Sequence, residues 1–197
     1  MPRSARMEWR ASIEDLKSNV KERQDRAFLS LSEMTAEPVD WAYEVWDELL
    51  GLIGEGDNRQ RSIAGQILCN LAKSDKEQRL VEDSAALLAL TRDARFVTAR
   101  HCLLSLWKVA IAGPRQHKAV LDGLVLRFKE CAVEKNCTLI RYDIQCTLRR
   151  VFDVKADTQL RSMADGLIEL EEDLKYRKKY AMVWRTAKAP KRPATLV

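Results

Sequence analysis

The sequence predicts an all-α fold, arranged as a right-handed α-α superhelix (a solenoid) of about four helical hairpins. Three observations favour it: helical spacing of apolar residues along almost the whole chain, frequent helix-capping and helix-breaking residues, and an internal repeat. The composition agrees, because seven Gly and five Pro in 197 residues are few for an all-β protein, in which turns recur about every 8–12 residues.

The apolar residues follow the three-to-four-residue step of one-sided helices. Two stretches show the step clearly: Ile13, Leu16, Val20, Ala27, Phe28, Leu31 and Met34 in the first, and Ala42, Val45, Trp46, Leu49, Leu50 and Ile53 in the second. No segment alternates apolar and polar residues long enough to predict a strand. Each helix is therefore expected to bury one face against a neighbour.

Turn and capping residues divide the chain into helices with short connections. The boundaries are expected at Glu37-Pro38, Gly54–Asp57, Ser74–Gln78, Asp93, Gly113-Pro114, Asn136 or Thr138, and Asp157 or Thr158. Asp57 is a candidate N-cap, and Ser74 to Gln78 contains two overlapping capping-box patterns. The second helix of each hairpin is then expected at about 38–53, 76–91, 115–132 and 158–183, the last as one long helix.

An internal repeat appears when the first helices of the hairpins are compared. Four of them carry a small polar residue followed by a leucine, namely Leu31, Leu71, Leu106 and Leu148, and these leucines are 40, 35 and 42 residues apart. A capping-type residue lies upstream of each leucine, at Asn19, Asp57, Asp93 and Asn136. A period of roughly 40 residues with two helices per unit is typical of a helical solenoid.

The repeat resembles the HEAT/armadillo class of helical repeats. The resemblance rests on a basic or capping position, a small residue and an apolar pair ending in leucine, as in Arg23, Ala27 and Leu31 or in Arg61, Ala64 and Leu71. The fourth unit matches less well, because Arg141 stands where a small residue is expected. The resemblance implies a HEAT-like α-solenoid over 19–184, preceded by an N-terminal extension or short helix over 1–18. The composition of the basic tail over 185–197 predicts disorder.

The net charge of +5 is concentrated near the C-terminus. The segment from Lys175 to Arg192 holds eight basic residues and no acidic one, whereas the rest of the chain is slightly acidic. No segment is apolar for the roughly 18–20 residues that a membrane span needs, and the N-terminus lacks the apolar run of a signal peptide. We expect a cytoplasmic protein without a membrane segment.

The residues that could carry chemistry are few. Five cysteines without a C-x-x-C pair are expected to be reduced thiols that line the core. His101 and His117 are the two histidines, and neither stands at metal-ligand spacing with other ligands. Phosphate-loop, zinc-protease and serine-hydrolase motifs are absent. The sequence therefore predicts no catalytic residue, no metal and no cofactor.

The leading hypothesis is a non-enzymatic HEAT-like scaffold or adaptor that binds a protein or peptide partner on its concave face. The second helices are expected to line that face, as the resemblance implies. Trp41 and Trp107 lie at the margins of their apolar stripes, where one could be exposed as a binding anchor. The candidate partner-binding residues are Trp41, Trp107, Lys118, Asp122 and Arg127.

The alternative is a nucleic-acid-binding protein related to the HEAT-like alkylpurine DNA glycosylases. The basic residues near the C-terminus, interleaved with Tyr176, Tyr180 and Trp184, are candidate contacts to nucleic acid or to an acidic partner: Lys175, Arg177, Lys178, Lys179 and Arg185. Asp143, the acidic residue considered for that family's catalytic role, stands among several arginines. A basic concave face would favour nucleic acid, whereas an apolar or mixed groove with an exposed tryptophan would favour a peptide.

Overall fold

The protein is described from a computed structural model, which defines the backbone of residues 3–185 and the side chains of residues 8–185. This part of the chain is helical and contains no strand, which confirms the all-α class. The α-helices are α1 (Arg3–Lys17), α2 (Lys21–Met34), α3 (Ala42–Glu55), α4 (Asn58–Leu71), α5 (Leu80–Leu90), α6 (Phe96–Leu103), α7 (Trp107–Ala112), α8 (Pro114–Glu130), α9 (Cys137–Lys155), α10 (Thr158–Glu169) and α11 (Leu174–Trp184). Short 3₁₀ helices follow α4 and α8, at Ala72–Ser74 and Cys131–Val133. Residues 186–197 of the predicted tail lie outside the described residues.

The helices pack in two sets that follow chain order. We name α2, α4, α6 with α7, α9 and α11 the first row, because each packs against the next one. Helices α3, α5 and α8, the second row, likewise pack in sequence. Helix α1 packs on α2, α3 on α4, and α10 on α9 and α11, so that the core runs between the rows.

The core contains the leucines that the repeat predicts. Leu31, Leu68, Leu71, Leu103, Leu106 and Leu148 are buried, together with Trp46, Leu87, Leu124, Phe128 and Leu167. Leu121 lies at the edge of the same core and is only half-buried. Three of the five cysteines, Cys69, Cys102 and Cys131, are also buried, and all five are free thiols.

The predicted N-caps of α4 and α10 are present, whereas the N-terminus of α5 is capped differently from the prediction. Asp57 accepts hydrogen bonds from the backbone of Arg59 and Gln60 in a capping box. Asp157 caps α10 by accepting from the backbone of Gln159 and Leu160. The overlapping boxes at Ser74–Gln78 are not formed. Instead the Asp75 carboxylate accepts from the backbone of Arg79 and Leu80, so that α5 begins at Leu80.

The long terminal helix predicted over 158–183 is wrong, because the chain leaves the helix after Glu169 and enters α11 at Leu174. Glu171 lies in the break, where its buried carboxylate pairs with Arg141 at 3.0 Å. Asp173 caps α11 through the backbone N–H of Lys175. An ion pair and a cap therefore hold the chain where the sequence predicts a continuous helix.

Candidate functional site

The two candidate tryptophans are not exposed binding anchors. Trp41 is 2% exposed, and its ring stacks on that of Trp9 with centroids 5.2 Å apart. Trp107 is half-buried and packs against the core. The expectation of an exposed Trp41 is therefore wrong, since α1 covers the margin of the α3 stripe.

The three charged candidates on α8 do not form one surface. Lys118 and Asp122 are exposed and pair with each other at 2.6 Å. Arg127 is 1% exposed, donates to the carbonyl of Thr91 and pairs with Glu134. Nine helical positions separate Arg127 from Lys118, about half a turn out of phase at 100° per residue. The interpretation of Arg127 as a surface charge is wrong.

The basic candidates on α11 are mostly presented to solvent. Lys175, Lys178, Lys179 and Arg185 are exposed, whereas Arg177 is half-buried and donates to the carbonyls of Glu169 and Glu171. The Lys179 ammonium lies 4.9 Å from the centroid of the Tyr142 ring on α9. Lys179 therefore extends the surface of the first row.

The outer side of the first row is recessed. On α4, Ser62 and Asn70 point into cavities although their side chains are only 7% and 9% exposed. An open cavity of about 640 Å³ lies between the N-terminal ends of α4 and α6, lined by Ser62, Arg59, Arg95 and His101 among others. A second cavity lies further along α4, between Asn70, Lys73 and Lys108.

Lys73 and Lys108 line the second cavity, and the charge of the exposed Arg150 acts on Lys108. We name Lys73, Lys108 and Arg150 the basic cluster. Each donates to an uncharged acceptor: Lys73 to the carbonyl of Ala36, Lys108 to the amide oxygen of Asn70, and Arg150 to the carbonyl of Leu104. Burial lowers the pKa of Lys108, and the positive charges of Lys73 and Arg150 lower it further. The cluster is therefore open to a negatively charged partner.

Several helices of the two rows differ in charge. Helices α4, α6, α7 and α11 carry eight basic residues and no acidic one. Helices α3 and α5 of the second row carry six acidic residues and no basic one. Three of the first-row arginines, Arg59, Arg61 and Arg100, are neutralised by Asp25, Asp93 and Asp143. The free positive charge therefore comes from lysines and from the other arginines.

The polar groups that could carry chemistry are engaged in structure. Asp143 is 1% exposed, and both of its carboxylate oxygens accept hydrogen bonds from Arg100, at 2.6 and 2.9 Å. It is therefore not presented to the recessed surface as a catalytic carboxylate. His101 Nδ1 lies 2.8 Å from Ser62 Oγ, and burial together with the charge of Arg100 lowers the pKa of His101.

The basic cluster was missed in the sequence because its members come from three units of the repeat. Lys73 follows α4, Lys108 lies in α7 and Arg150 lies in α9. Each alone resembles an ordinary surface charge. Two signals could have indicated the surface. Acidic residues are absent from α4, α6 and α7, and each of the three cations stands two residues after a repeat leucine, Leu71, Leu106 or Leu148.

Among residues 8–185, no three His, Cys, Asp or Glu side chains are grouped so that they could hold a metal ion. Within the described part of the chain, no helix combines the length and the apolarity that crossing a membrane requires. No protein-family model matches the chain, and no curated protein is significantly similar to it in sequence.

Proposed function

We propose that this chain is a non-enzymatic α-solenoid of about four HEAT-like hairpins whose recessed first-row surface binds the phosphate backbone of nucleic acid. The observation that carries the proposal is the basic cluster, in which Lys73 and Lys108 line one cavity and the charge of Arg150 acts on Lys108. Within the described part of the chain, the three side chains donate to uncharged acceptors. The sequence alone favours a protein or peptide partner over nucleic acid. We now prefer nucleic acid, because the groove is basic and Trp41 is buried.

The packing order supports the solenoid. Helices of each row contact their neighbours in chain order, as stacked repeats do. Arginine–carboxylate pairs also join successive units, with Arg61 bound to Asp93 and Arg100 bound to Asp143. In this arrangement the repeats build one continuous surface from equivalent positions of successive first helices.

Burial supports the first row as the concave side, where the resemblance placed the second helices. Outward residues of α4 such as Ser62 and Asn70 are nearly covered by neighbouring helices. Outward residues of α3, by contrast, include the exposed Glu44 and Asp47. Side chains crowd on a concave surface and spread on a convex one, so the first row is the better candidate.

The chemistry of the surface supports a polyanionic chain over a single small anion. Lysine and arginine side chains spaced over several helices can each neutralise one phosphate, and the released counterions contribute to binding. Tyr142 lies beside Lys179 at the same surface, and such a combination of aromatic ring and cation suits a nucleotide chain. The acidic α3 and α5 would be repelled by phosphate, which supports the first row over these two helices as the side that binds.

The test is a fluorescence anisotropy titration of the full chain against three labelled probes. These are a duplex DNA of about 20 base pairs, a single strand of the same length, and polyglutamate as a mimic of an acidic protein partner. The proposal is supported if the logarithm of the affinity for nucleic acid falls linearly with the logarithm of the salt concentration, because phosphate contacts release counterions. Equal or tighter binding of polyglutamate would favour an acidic protein partner, and absent binding to all three would overturn the proposal.

A further inference from the structure

Two cysteines approach each other at the joint between the third and fourth units. Cys131 lies in the 3₁₀ helix that follows α8, and Cys137 is the first residue of α9. Their sulfur atoms are 3.2 Å apart, although both thiols are free. A disulfide requires sulfurs about 2.05 Å apart, so that a shift of about 1 Å would join them.

We propose that Cys131 and Cys137 form a reversible disulfide when hydrogen peroxide oxidises the protein. The bond would close the segment from Cys131 to Cys137 and link the end of α8 to the start of α9. This modification is independent of nucleic-acid binding, since it involves neither the basic cluster nor its neighbours.

The surroundings of the two thiols differ, and this difference determines which sulfur reacts with peroxide first. Cys137 is half-buried and therefore reachable by a small oxidant, whereas Cys131 is buried. Burial, with the hydrogen bond to Cys137, raises the pKa of Cys131 to about 12, which leaves it a thiol at neutral pH. Cys137 is thus the sulfur that meets peroxide first, and Cys131 is the sulfur that resolves the product.

The chemistry balances in two steps. The Cys137 thiolate attacks one oxygen of hydrogen peroxide, the O–O bond breaks, and sulfenic acid and water form once a proton is taken up. The Cys131 sulfur then attacks the sulfenic sulfur, the S–S bond forms, the S–O bond breaks, and a second water leaves with the Cys131 proton. Two thiols and one peroxide give one disulfide and two waters, and an added dithiol reverses the reaction by exchange.

The segment that the bond would close also holds an ion pair. Glu134 lies between the two cysteines and pairs with the buried Arg127 of α8. Arg141, one turn into α9, donates to the carbonyl of Phe128 and pairs with Glu171. The joint is therefore already held in place, so that little conformational freedom must be lost for the sulfurs to meet.

Peptide mapping tests the proposal on the full chain. Trypsin cleaves after Lys129, Lys135 and Arg141, so that Cys131 and Cys137 fall in the separate peptides 130–135 and 136–141. After peroxide treatment and alkylation of the remaining thiols, we expect these two peptides to be joined, to separate on reduction, and Cys69, Cys102 and Cys146 to be alkylated. Cys137 recovered as sulfinic acid or as an intermolecular disulfide, with Cys131 alkylated, would overturn the proposal, as would alkylation of all five.

Two variants test whether the disulfide depends on the short distance between Cys131 and Cys137 or on the general reactivity of accessible cysteines. Cys146→Ser removes the other half-buried cysteine and should leave the joined peptides unchanged. Cys131→Ala should abolish them and leave Cys137 as a sulfenic acid that dimedone traps.

In the wild type, oxidation should raise the Tm by about 5 °C, and the Cys137→Ser variant should show no such rise. Equal rises in both would contradict the disulfide as their cause.

Discussion

At the scale of single residues, ion pairs between half-buried arginines and buried carboxylates connect the units of the chain. Arg61 binds Asp93 with two hydrogen bonds, at 2.6 and 3.0 Å, and Arg100 binds Asp143 in the same fork geometry. Removing one partner of a buried pair leaves the other charge without compensation, which costs more than the pair itself contributes. Replacing both partners of a pair by apolar residues should therefore lower the free energy of unfolding less than replacing one partner alone.

Replacing Arg100 by Ala should lower the free energy of unfolding by about 3–5 kcal/mol, because the buried Asp143 then carries an unpaired charge. Urea denaturation at neutral pH measures the change. The double variant Arg100→Met with Asp143→Leu should recover a large part of the loss. Lys118→Ala, which breaks the exposed pair with Asp122, should change stability by about 1 kcal/mol or less. Equal losses for Arg100→Ala and Lys118→Ala would contradict the assignment.

The pair between Arg127 and Glu134 should make stability depend on acid pH. The hydrogen bond from Arg127 lowers the pKa of Glu134 below its ordinary 4.5. A lowered folded-state pKa gives stability that is present above the unfolded-state pKa and is lost as the pH falls through the folded-state pKa. The stability difference between wild type and Arg127→Met should therefore shrink between about pH 6 and about pH 3.

Thermal denaturation of both proteins across that range measures the difference. At neutral pH, Arg127→Met should cost about 1–3 kcal/mol, because the buried carbonyl of Thr91 also loses its donor. That part does not titrate and should remain at low pH. A difference that stays constant throughout the range would show that Glu134 contributes nothing through this pair.

At the scale of helices, local signals predicted some boundaries and failed at others. The N-caps Asp57 and Asp157 were predictable, because a capping side chain acts on backbone groups two or three residues away. The break between α10 and α11 was not, because it depends on Glu171 pairing with Arg141, 30 residues distant. Spacing of apolar residues continues across that break, so periodicity alone predicts one helix.

Replacing a helical glycine by alanine should change the free energy of unfolding according to the space available for the added Cβ atom. Gly166 lies exposed in α10, and a Cβ there would meet nothing within 4 Å. Gly166→Ala should therefore raise the free energy of unfolding by about 0.5–1 kcal/mol, because alanine restricts the unfolded chain. On α4, a Cβ at Gly65 would lie 2.6 Å from Leu90 Cδ2, so that Gly65→Ala should cost about 1–3 kcal/mol. Denaturant melts compare the two, and stabilisation by both would contradict the close packing of α4 on α5.

At the scale of the whole molecule, the all-α class and most of the core followed from helical periodicity and the repeat. The candidate surface did not follow, because Lys73, Lys108 and Arg150 meet only when three units stack. The sequence also placed the positive charge near the C-terminus, where α11 does carry it. The sequence alone could not indicate that α4, α6 and α7, which lack acidic residues, pack in one row, whereas the acidic α3 and α5 pack in the other.

The salt dependence of duplex DNA binding tests the central claim most directly, when wild type is compared with a variant in which Lys73, Lys108 and Arg150 are all replaced by Gln. Each phosphate contact contributes about 0.9 to the slope of log affinity against log salt, so the variant's slope should be shallower by up to about 2.7. Lys118→Gln, on the second row, serves as the control and should keep the wild-type slope. An unchanged slope in the triple variant, or an equal loss in the control, would contradict the claim that the recessed first-row surface binds nucleic acid.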